Sequence, residues 1–190
     1  MSRLLFSTIE VTRQVFYRNT LSYAIVNLKP IVPGHVLVIP TRPVHRLGDL
    51  TPPELSSLML SVQQVGKVIE RVYGADGLTI ACQDGKAAGQ SVPHVHFHLL
   101  PRKLHGDRFA NNDDIYPALE SVEGSLRHDI RDARTKIAES SPERTEAADL
   151  QRLKVDADDD RKPRTMEDME KEAQWLKTFF NAESTTSDSN

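Results

Sequence analysis

Short runs of β-branched and aromatic residues, separated by turn-forming residues, fill the first half of the chain and predict a β-sheet. The runs cover residues 14–19, 21–28, 35–39 and 78–83. Asn19-Thr20 separates the first two runs and predicts a hairpin turn, and Pro33-Gly34 forms a turn before the third. We therefore expect a mostly antiparallel sheet.

A helical period begins after Thr51 and predicts a long amphipathic helix that covers this sheet. Thr51 supplies a capping hydroxyl, Pro52 and Pro53 suit a first helical turn, and Glu54 places an acid near the N-terminus. Apolar residues then recur at helical spacing, at Leu55, Leu58, Met59, Val62, Val65, Val68, Ile69 and Val72.

Order is expected to return only near the end of the chain. From about residue 103 to residue 163 the sequence is rich in charged and small residues without a period, which predicts mobility. Thr165 and Asp168 then form a capping pattern before a second helix. Its predicted apolar face is Met169, Ala173, Trp175 or Leu176, Phe179 and Phe180. The predicted organisation is an α+β domain over residues 1–117, a mobile insertion over 118–163, a packed helix over 164–181 and a disordered tail over 182–190.

Composition narrows the class of protein. The net charge of −3 over 190 residues gives no basic field for nucleic acid. A single cysteine, Cys82, excludes an internal disulfide framework, and no apolar stretch approaches the roughly 18 residues of a membrane span. The N-terminus lacks the apolar core of a secretory signal. These features predict a soluble intracellular protein with no membrane or nucleic-acid partner.

Three histidines at alternate positions are the main chemical signal. His94, His96 and His98 are separated by Val95 and Phe97, and strand side chains alternate faces. The spacing predicts a strand with all three imidazoles on one side. Prolines at positions 93 and 101 bracket the run, which limits the predicted strand to about seven residues because a central strand does not accommodate proline.

Two kinds of chemistry suit three imidazoles on one face. They could bind zinc, with Asp84 or the loop over residues 107–114 completing the ligand set. Alternatively, a neutral imidazole could attack phosphorus while its neighbours contact phosphate oxygens. The preceding loop fits the second use, because Gly89 permits a tight backbone and the N–H groups and side chains of Gln90 and Ser91 could bind phosphate.

The histidine run resembles the histidine triad superfamily, in which His-φ-His-φ-His-φ-φ, with φ apolar, carries a catalytic histidine in the middle position. Further matching stretches are QDG at 83–85, AGQ at 88–90, LPRK at 100–103, VNLKP at 26–30 and VPGHVLV at 32–38. Together they resemble the fragile histidine triad branch, the dinucleoside triphosphate hydrolases, from about residue 14 to residue 103. The C-terminal helix is similar to that of fungal members.

The resemblance implies a two-step displacement at phosphorus. His96 would attack the α-phosphorus of a diadenosine triphosphate-like substrate, a nucleoside diphosphate would leave, and water would release AMP. In that reaction His98 would contact the phosphate and the bridging oxygen, and Gln83 would bind phosphate. The resemblance assigns His94 and His35 to orienting the active ring and its tautomer.

The resemblance also implies how substrate is bound. Asn27 would bind the ribose hydroxyls, and residues 89–92 would bind the remaining phosphate and the leaving group, through Gly89, Gln90, Ser91 and Val92. The purine would lie against Phe6, Ile25 and Leu37. Family members are homodimers with a sheet continued across subunits, and the substrate brings Mg²⁺ or Mn²⁺, so no metal held by the protein is implied. The expected location is the cytoplasm, and also the nucleus.

Three alternatives stay open at this stage. A nucleoside phosphoramidate or adenylate hydrolase of a neighbouring triad branch would share every histidine. A nucleotide-bound signalling module would recruit a protein partner through residues 118–163, and a metalloenzyme would use the histidines as ligands. Tyr116 aligns with a tyrosine that is phosphorylated in some family members, but we interpret it as a loop anchor.

Overall fold

A five-stranded antiparallel sheet forms the centre of the protein. A computed structural model describes residues 3–122 and 164–183. The sheet has the order β3-β4-β5-β7-β6, and β1 pairs with β2 in a separate two-stranded ribbon. The strands are β1 Leu5–Phe6, β2 Ile9–Glu10, β3 Val15–Arg18, β4 Ser22–Val26, β5 Val36–Pro40, β6 Gly77–Ala81 and β7 Phe97–Arg102. All strand pairs of the described residues are antiparallel, which confirms the α+β prediction.

Strand β7 differs from its predicted bounds at both ends. It begins at Phe97 and runs through Pro101 to Arg102, so a proline lies inside a central strand. The prediction that Pro101 lies outside the strand is wrong. Strand β5 pairs with β7 only at residues 97–99, so Pro101 faces no paired residue of β5 and its missing N–H is tolerated. His94 and His96 lie before the strand, so the prediction that one strand holds all three histidines is wrong for these two.

Helix α1, Pro52–Tyr73, lies on one face of the sheet and begins as predicted. The Glu54 carboxylate accepts hydrogen bonds from the Thr51 N–H at 2.9 Å and the Thr51 hydroxyl at 2.8 Å, and Gly74 ends the helix in a left-handed conformation. Most of the predicted apolar stripe is buried, but Leu55 and Met59 remain 39% and 43% exposed, and Val72 is only partly buried.

Helix α3, Met166–Glu183, packs on the same side of the sheet as α1. The Thr165 hydroxyl accepts from the Asp168 N–H at 3.1 Å and caps the helix. Met169, Ala173 and Leu176 are buried, so Leu176 rather than Trp175 belongs to the apolar face. Trp175 packs edge-on against Tyr73 at the end of α1, with 5.7 Å between ring centroids. Neither α1 nor α3 has the length and apolar composition of a membrane span, and no other helix of the described residues does.

A short helix, α2, covers residues 115–122 as far as the chain is described. Leu119 and Val122 pack against Leu100 of β7, so the predicted insertion over 118–163 begins with five helical residues. The rest of that prediction, like the predicted tail after residue 183, lies outside the described residues. Tyr116 is 55% exposed, so its interpretation as a loop anchor is wrong; the buried residue there is Ile115.

Candidate active site

The three histidines lie on the face of the sheet opposite α1 and α3. His98 in β7 is paired with Leu37 in β5, and the extended segment before β7 carries His94 and His96. All three residues are buried, with at most 1% of their surface exposed. Buried imidazoles need hydrogen-bond partners, and those partners determine which ring nitrogen carries the proton.

His94 is held between two backbone groups. Its Nδ1 accepts a hydrogen bond from the Ser7 N–H at 2.9 Å, so the proton resides on Nε2, which donates to the Pro40 carbonyl at 2.9 Å. Burial lowers the pKa of His94 to about 4, because the charged ring would lose its hydration, although the Pro40 hydrogen bond opposes the change. His94 is therefore neutral at physiological pH.

His96 takes the opposite tautomer. Its Nδ1 lies 2.8 Å from the His94 carbonyl, and a carbonyl can only accept, so Nδ1 carries the proton and Nε2 presents a lone pair. The Phe6 ring contacts the His96 ring edge-on, with 5.1 Å between the ring centroids. The His98 ring also contacts the His96 ring edge-on, with 5.0 Å between the centroids. The His94 carbonyl and the rings of Phe6 and His98 thus hold the His96 ring, which presents a nucleophilic nitrogen.

His35 and His98 form a chain of hydrogen bonds that orients a donor. The Ile31 N–H donates to His35 Nδ1 at 3.2 Å, so the His35 proton lies on Nε2. That nitrogen is 2.9 Å from His98 Nδ1 and donates to it. Neutral His98 consequently carries its own proton on Nε2, and the chain delivers one N–H group to the face that His96 occupies.

Asn27 lies at the end of β4 beside this chain. It is 1% exposed, and its side-chain nitrogen lies 3.2 Å from His35 Nε2 and 3.3 Å from His35 Nδ1. Its side-chain oxygen accepts from the Lys29 N–H at 3.1 Å. The structure therefore places Asn27 and His35, which are eight residues apart, in direct contact.

Gln83 and Gly89 are neighbours in the loop that leads to the histidines. A Cβ atom added at Gly89 would lie 3.9 Å from the Gln83 side chain, and Gly89 has φ +87°, which a glycine adopts without strain. The Gln83 side-chain oxygen is buried, and within the described residues it has no hydrogen-bond partner. Such an atom costs free energy unless a ligand supplies a partner.

Gln90 shapes this loop through its own amide. Its backbone N–H donates to the Gly85 carbonyl at 3.2 Å, and its side-chain oxygen accepts from the Gly85 N–H at 3.1 Å. Its side-chain nitrogen donates to the His45 carbonyl at 3.0 Å. The predicted phosphate donors of Gln90 are therefore engaged within the protein in this structure.

Carboxylates near the histidines are engaged as well. Asp84 accepts two hydrogen bonds from the Arg46 guanidinium and one from the Leu47 N–H, and the guanidinium lowers the pKa of this carboxyl. Among residues 3–122 and 164–183, no group of three or more His, Cys, Asp or Glu side chains is arranged to hold a metal ion.

An apolar cluster lies next to the histidines on the same side of the sheet. It contains the predicted purine contacts Phe6, Ile25 and Leu37 together with Val92, and all four are buried. Sequence reasoning missed the backbone groups that set the tautomers, which are the Ser7 N–H, the Ile31 N–H, the Pro40 carbonyl and the His94 carbonyl. Backbone groups carry no residue-type signal, so no pattern in the sequence could have identified them.

Comparisons with known proteins find relatives in sequence. A family model described as HIT domain matches residues 8–105. The chain is 51% identical over 181 residues to a Schizosaccharomyces pombe protein named bis(5'-nucleosyl)-tetraphosphatase [asymmetrical], covering 95% of this chain and 96% of that one. It is 43% identical over 168 residues to the Arabidopsis thaliana bifunctional bis(5'-adenosyl)-triphosphatase/adenylylsulfatase FHIT, covering 88% of this chain and 78% of that one.

Two solved structures share the fold. The Caenorhabditis elegans NitFhit protein is 39% identical with a TM-score of 0.54, and the match covers 64% of this chain and 30% of that longer chain. The Plasmodium falciparum diadenosine triphosphate hydrolase, solved with Cyclomarin A, has a TM-score of 0.64 at 24% identity. That match covers 96% of this chain and 86% of the other.

Proposed function

The chain belongs to the HIT domain family, and on that premise we propose that it hydrolyses dinucleoside polyphosphates, with diadenosine triphosphate giving AMP and ADP. The observation that carries the proposal is the hydrogen bond from His96 Nδ1 to the His94 carbonyl, which leaves the Nε2 lone pair as the nucleophile. The names of the S. pombe and A. thaliana relatives support this class of substrate.

The reaction follows from the two tautomers. His96 Nε2 forms a bond to the α-phosphorus, and the bond between that phosphorus and the bridging oxygen breaks, so ADP leaves. His98, which carries its proton on Nε2, donates a hydrogen bond to the bridging oxygen and stabilises the negative charge that develops there, without losing the proton. Water then forms a new bond to the phosphorus and loses a proton to solvent. The bond between phosphorus and His96 breaks, its electron pair returns to Nε2, and AMP is released.

The remaining residues of the site are assigned to binding. Asn27 binds the ribose hydroxyls, since its amide lies beside His35 at the end of the histidine chain. Gln83 binds the phosphates through the N–H groups of its amide, and its buried oxygen binds the Mg²⁺ or Mn²⁺ that the substrate brings. The adenine ring lies against the apolar cluster of Phe6, Ile25 and Leu37, and Ser91 and Val92 flank the phosphates.

Trapping of the covalent intermediate tests the proposal. Brief incubation with diadenosine triphosphate labelled at the α-phosphate, followed by acid-free peptide mapping, should place AMP on the peptide that contains His96. His96→Asn should abolish the adduct and lower kcat by several orders of magnitude while AMP binding remains, because only the bond-forming nitrogen is removed. His105→Asn is the matched control, since His105 is exposed. Label on another peptide, or near-normal turnover by His96→Asn, would contradict the assignment.

A second activity is supported by the A. thaliana relative, whose name includes adenylylsulfatase. Attack by His96 forms the same AMP adduct whatever group leaves, so the leaving group decides the substrate class. Measured kcat/KM values for diadenosine triphosphate, diadenosine tetraphosphate, adenylyl sulfate and an AMP-amine would rank these substrates. Preference for the AMP-amine would favour the phosphoramidate alternative.

A deletion tests the alternative of a signalling module. Unchanged turnover after removal of residues 124–160 would argue against it.

We also propose a homodimer that continues the sheet through β6. The sheet has two edges, β3 and β6, and α3 packs against β3. Strand β6 carries Ile80, which is 48% exposed. An apolar residue on an open sheet edge favours pairing with another strand.

A further inference from the structure

Arg164 connects the C-terminal segment to the loop that ends in His35. Its backbone N–H donates to the Leu28 carbonyl at 3.1 Å, and its guanidinium Nη2 donates to the Asn27 carbonyl at 2.9 Å. Two consecutive carbonyls at the end of β4 are thereby held by one residue that lies 137 positions further along the chain.

The guanidinium is itself held by a carboxylate and a phenol. Arg164 Nη2 lies 2.5 Å from Glu172 Oε2, and the Tyr73 hydroxyl donates to Glu172 Oε1 at 2.7 Å. The two charged side chains are only 16% and 9% exposed, so the pair is poorly screened by solvent. Burial, and then the Glu172 charge, raises the pKa of Tyr73 far above its usual value, so the hydroxyl remains a donor.

Tyr73 also contacts the other end of this loop, at Gly34. Tyr73 packs so closely on Gly34 that a Cβ atom there would lie 2.6 Å from the ring. Gly34 immediately precedes His35, which contacts Asn27 and donates to His98. Tyr73 of α1 and Arg164, which Glu172 of α3 holds, thus contact both ends of residues 27–35. This segment carries the Asn27 amide and the first imidazole of the histidine chain.

We propose that Arg164 is a positioning residue for the active site, acting through Asn27. The proposal rests on the proposed function, because it assigns Asn27 to the ribose of a nucleotide. Loss of the guanidinium would free the Asn27 carbonyl and leave Glu172 buried without its cation. The Asn27 side chain would then no longer be held in one position for the ribose. This should weaken substrate binding more than it slows the bond-forming step at His96.

A double-mutant cycle tests whether the effect passes through Asn27. For diadenosine triphosphate hydrolysis, Arg164→Ala should lower kcat/KM about tenfold, chiefly through KM, which corresponds to about one charged hydrogen bond. Arg164→Lys keeps the ion pair with Glu172 and should restore part of the loss. Asn27→Ala combined with Arg164→Ala should be no worse than Asn27→Ala alone, because the second change acts on a group already removed.

Arg13→Ala is the matched control. Arg13, in the turn before β3, makes another ion pair that ties α3 to the body of the protein, with Glu170, and the proposed function assigns it no contact with substrate. Its effect on kcat/KM should be independent of Asn27, so the fold-changes of Arg13→Ala and Asn27→Ala should multiply in the double variant. If the Arg164 and Asn27 effects multiply in the same way, or if Arg164→Ala lowers only the thermal midpoint, the positioning role is wrong. Inactivity of the wild-type protein on every dinucleotide, with no AMP binding, would instead overturn the proposed function and the positioning role with it.

Discussion

At the scale of single residues, backbone groups decide what each imidazole can do. Ser7 and Pro40 fix the proton of His94 on Nε2, whereas the His94 carbonyl fixes that of His96 on Nδ1. Adjacent members of the triad therefore have opposite tautomers although their residue type and burial are the same. The alternation of histidines in the sequence predicted a shared face, but it contains no information on tautomers.

The pKa of His94 predicts a specific acid sensitivity. The folded protein holds this pKa near 4 and the unfolded chain near 6.5, so the unfolded state binds more protons between these values. Stability is then lost as the pH falls from 6.5 towards 4. Relative to His94→Gln, the wild-type protein should lose about 2 kcal/mol more free energy of unfolding between pH 7 and pH 4.5. Urea titrations at the two pH values measure this, and equal losses in both proteins would contradict it.

At the scale of elements, the sequence predicted the helices and strands that are long enough to show a repeating hydrophobic pattern. The period of α1 and its Thr51-Glu54 cap predicted the helix nearly to the residue, because burial and capping act along its own length. Strands β1 and β2 have two residues each, too few for a period, and were missed. The N-terminal ribbon that contains Phe6 and Ser7 is specified by its contacts with the histidines, which are distant in sequence.

Gly34 gives a prediction for the turn before β5. It has φ +80°, and Tyr73 occupies the space where a side chain would lie. Gly34→Ala should lower the free energy of unfolding by about 1–3 kcal/mol and also lower kcat/KM, since His35 is the next residue.

Gly48→Ala provides the comparison, because Gly48 has no atom within 4 Å of an added Cβ and no left-handed φ. Chemical denaturation and steady-state kinetics of the two variants are the measurements. Similar stability and activity in both would show that the contact with Tyr73 does not constrain the turn.

At the scale of the whole molecule, the open edge of the sheet predicts the oligomeric state. Ile80→Lys places a charge on β6 and should convert a dimer to a monomer in sedimentation velocity, because a charged edge strand opposes pairing. Leu60→Lys, at a residue of α1 that is 58% exposed, should leave the dimer intact. A dimer that survives Ile80→Lys would place the interface elsewhere.

The edge-on contact between Trp175 and Tyr73 gives the protein a built-in optical probe. Trp175 is the one tryptophan of the chain, and Tyr73 leads through Glu172 and Arg164 to Asn27. The fluorescence emission of Trp175 therefore reports whether the C-terminal helix is packed against α1, without any attached dye. A titration of nucleotide into the unmodified protein would report, through a residue on the opposite face of the sheet, whether the order of the loop over residues 27–35 changes.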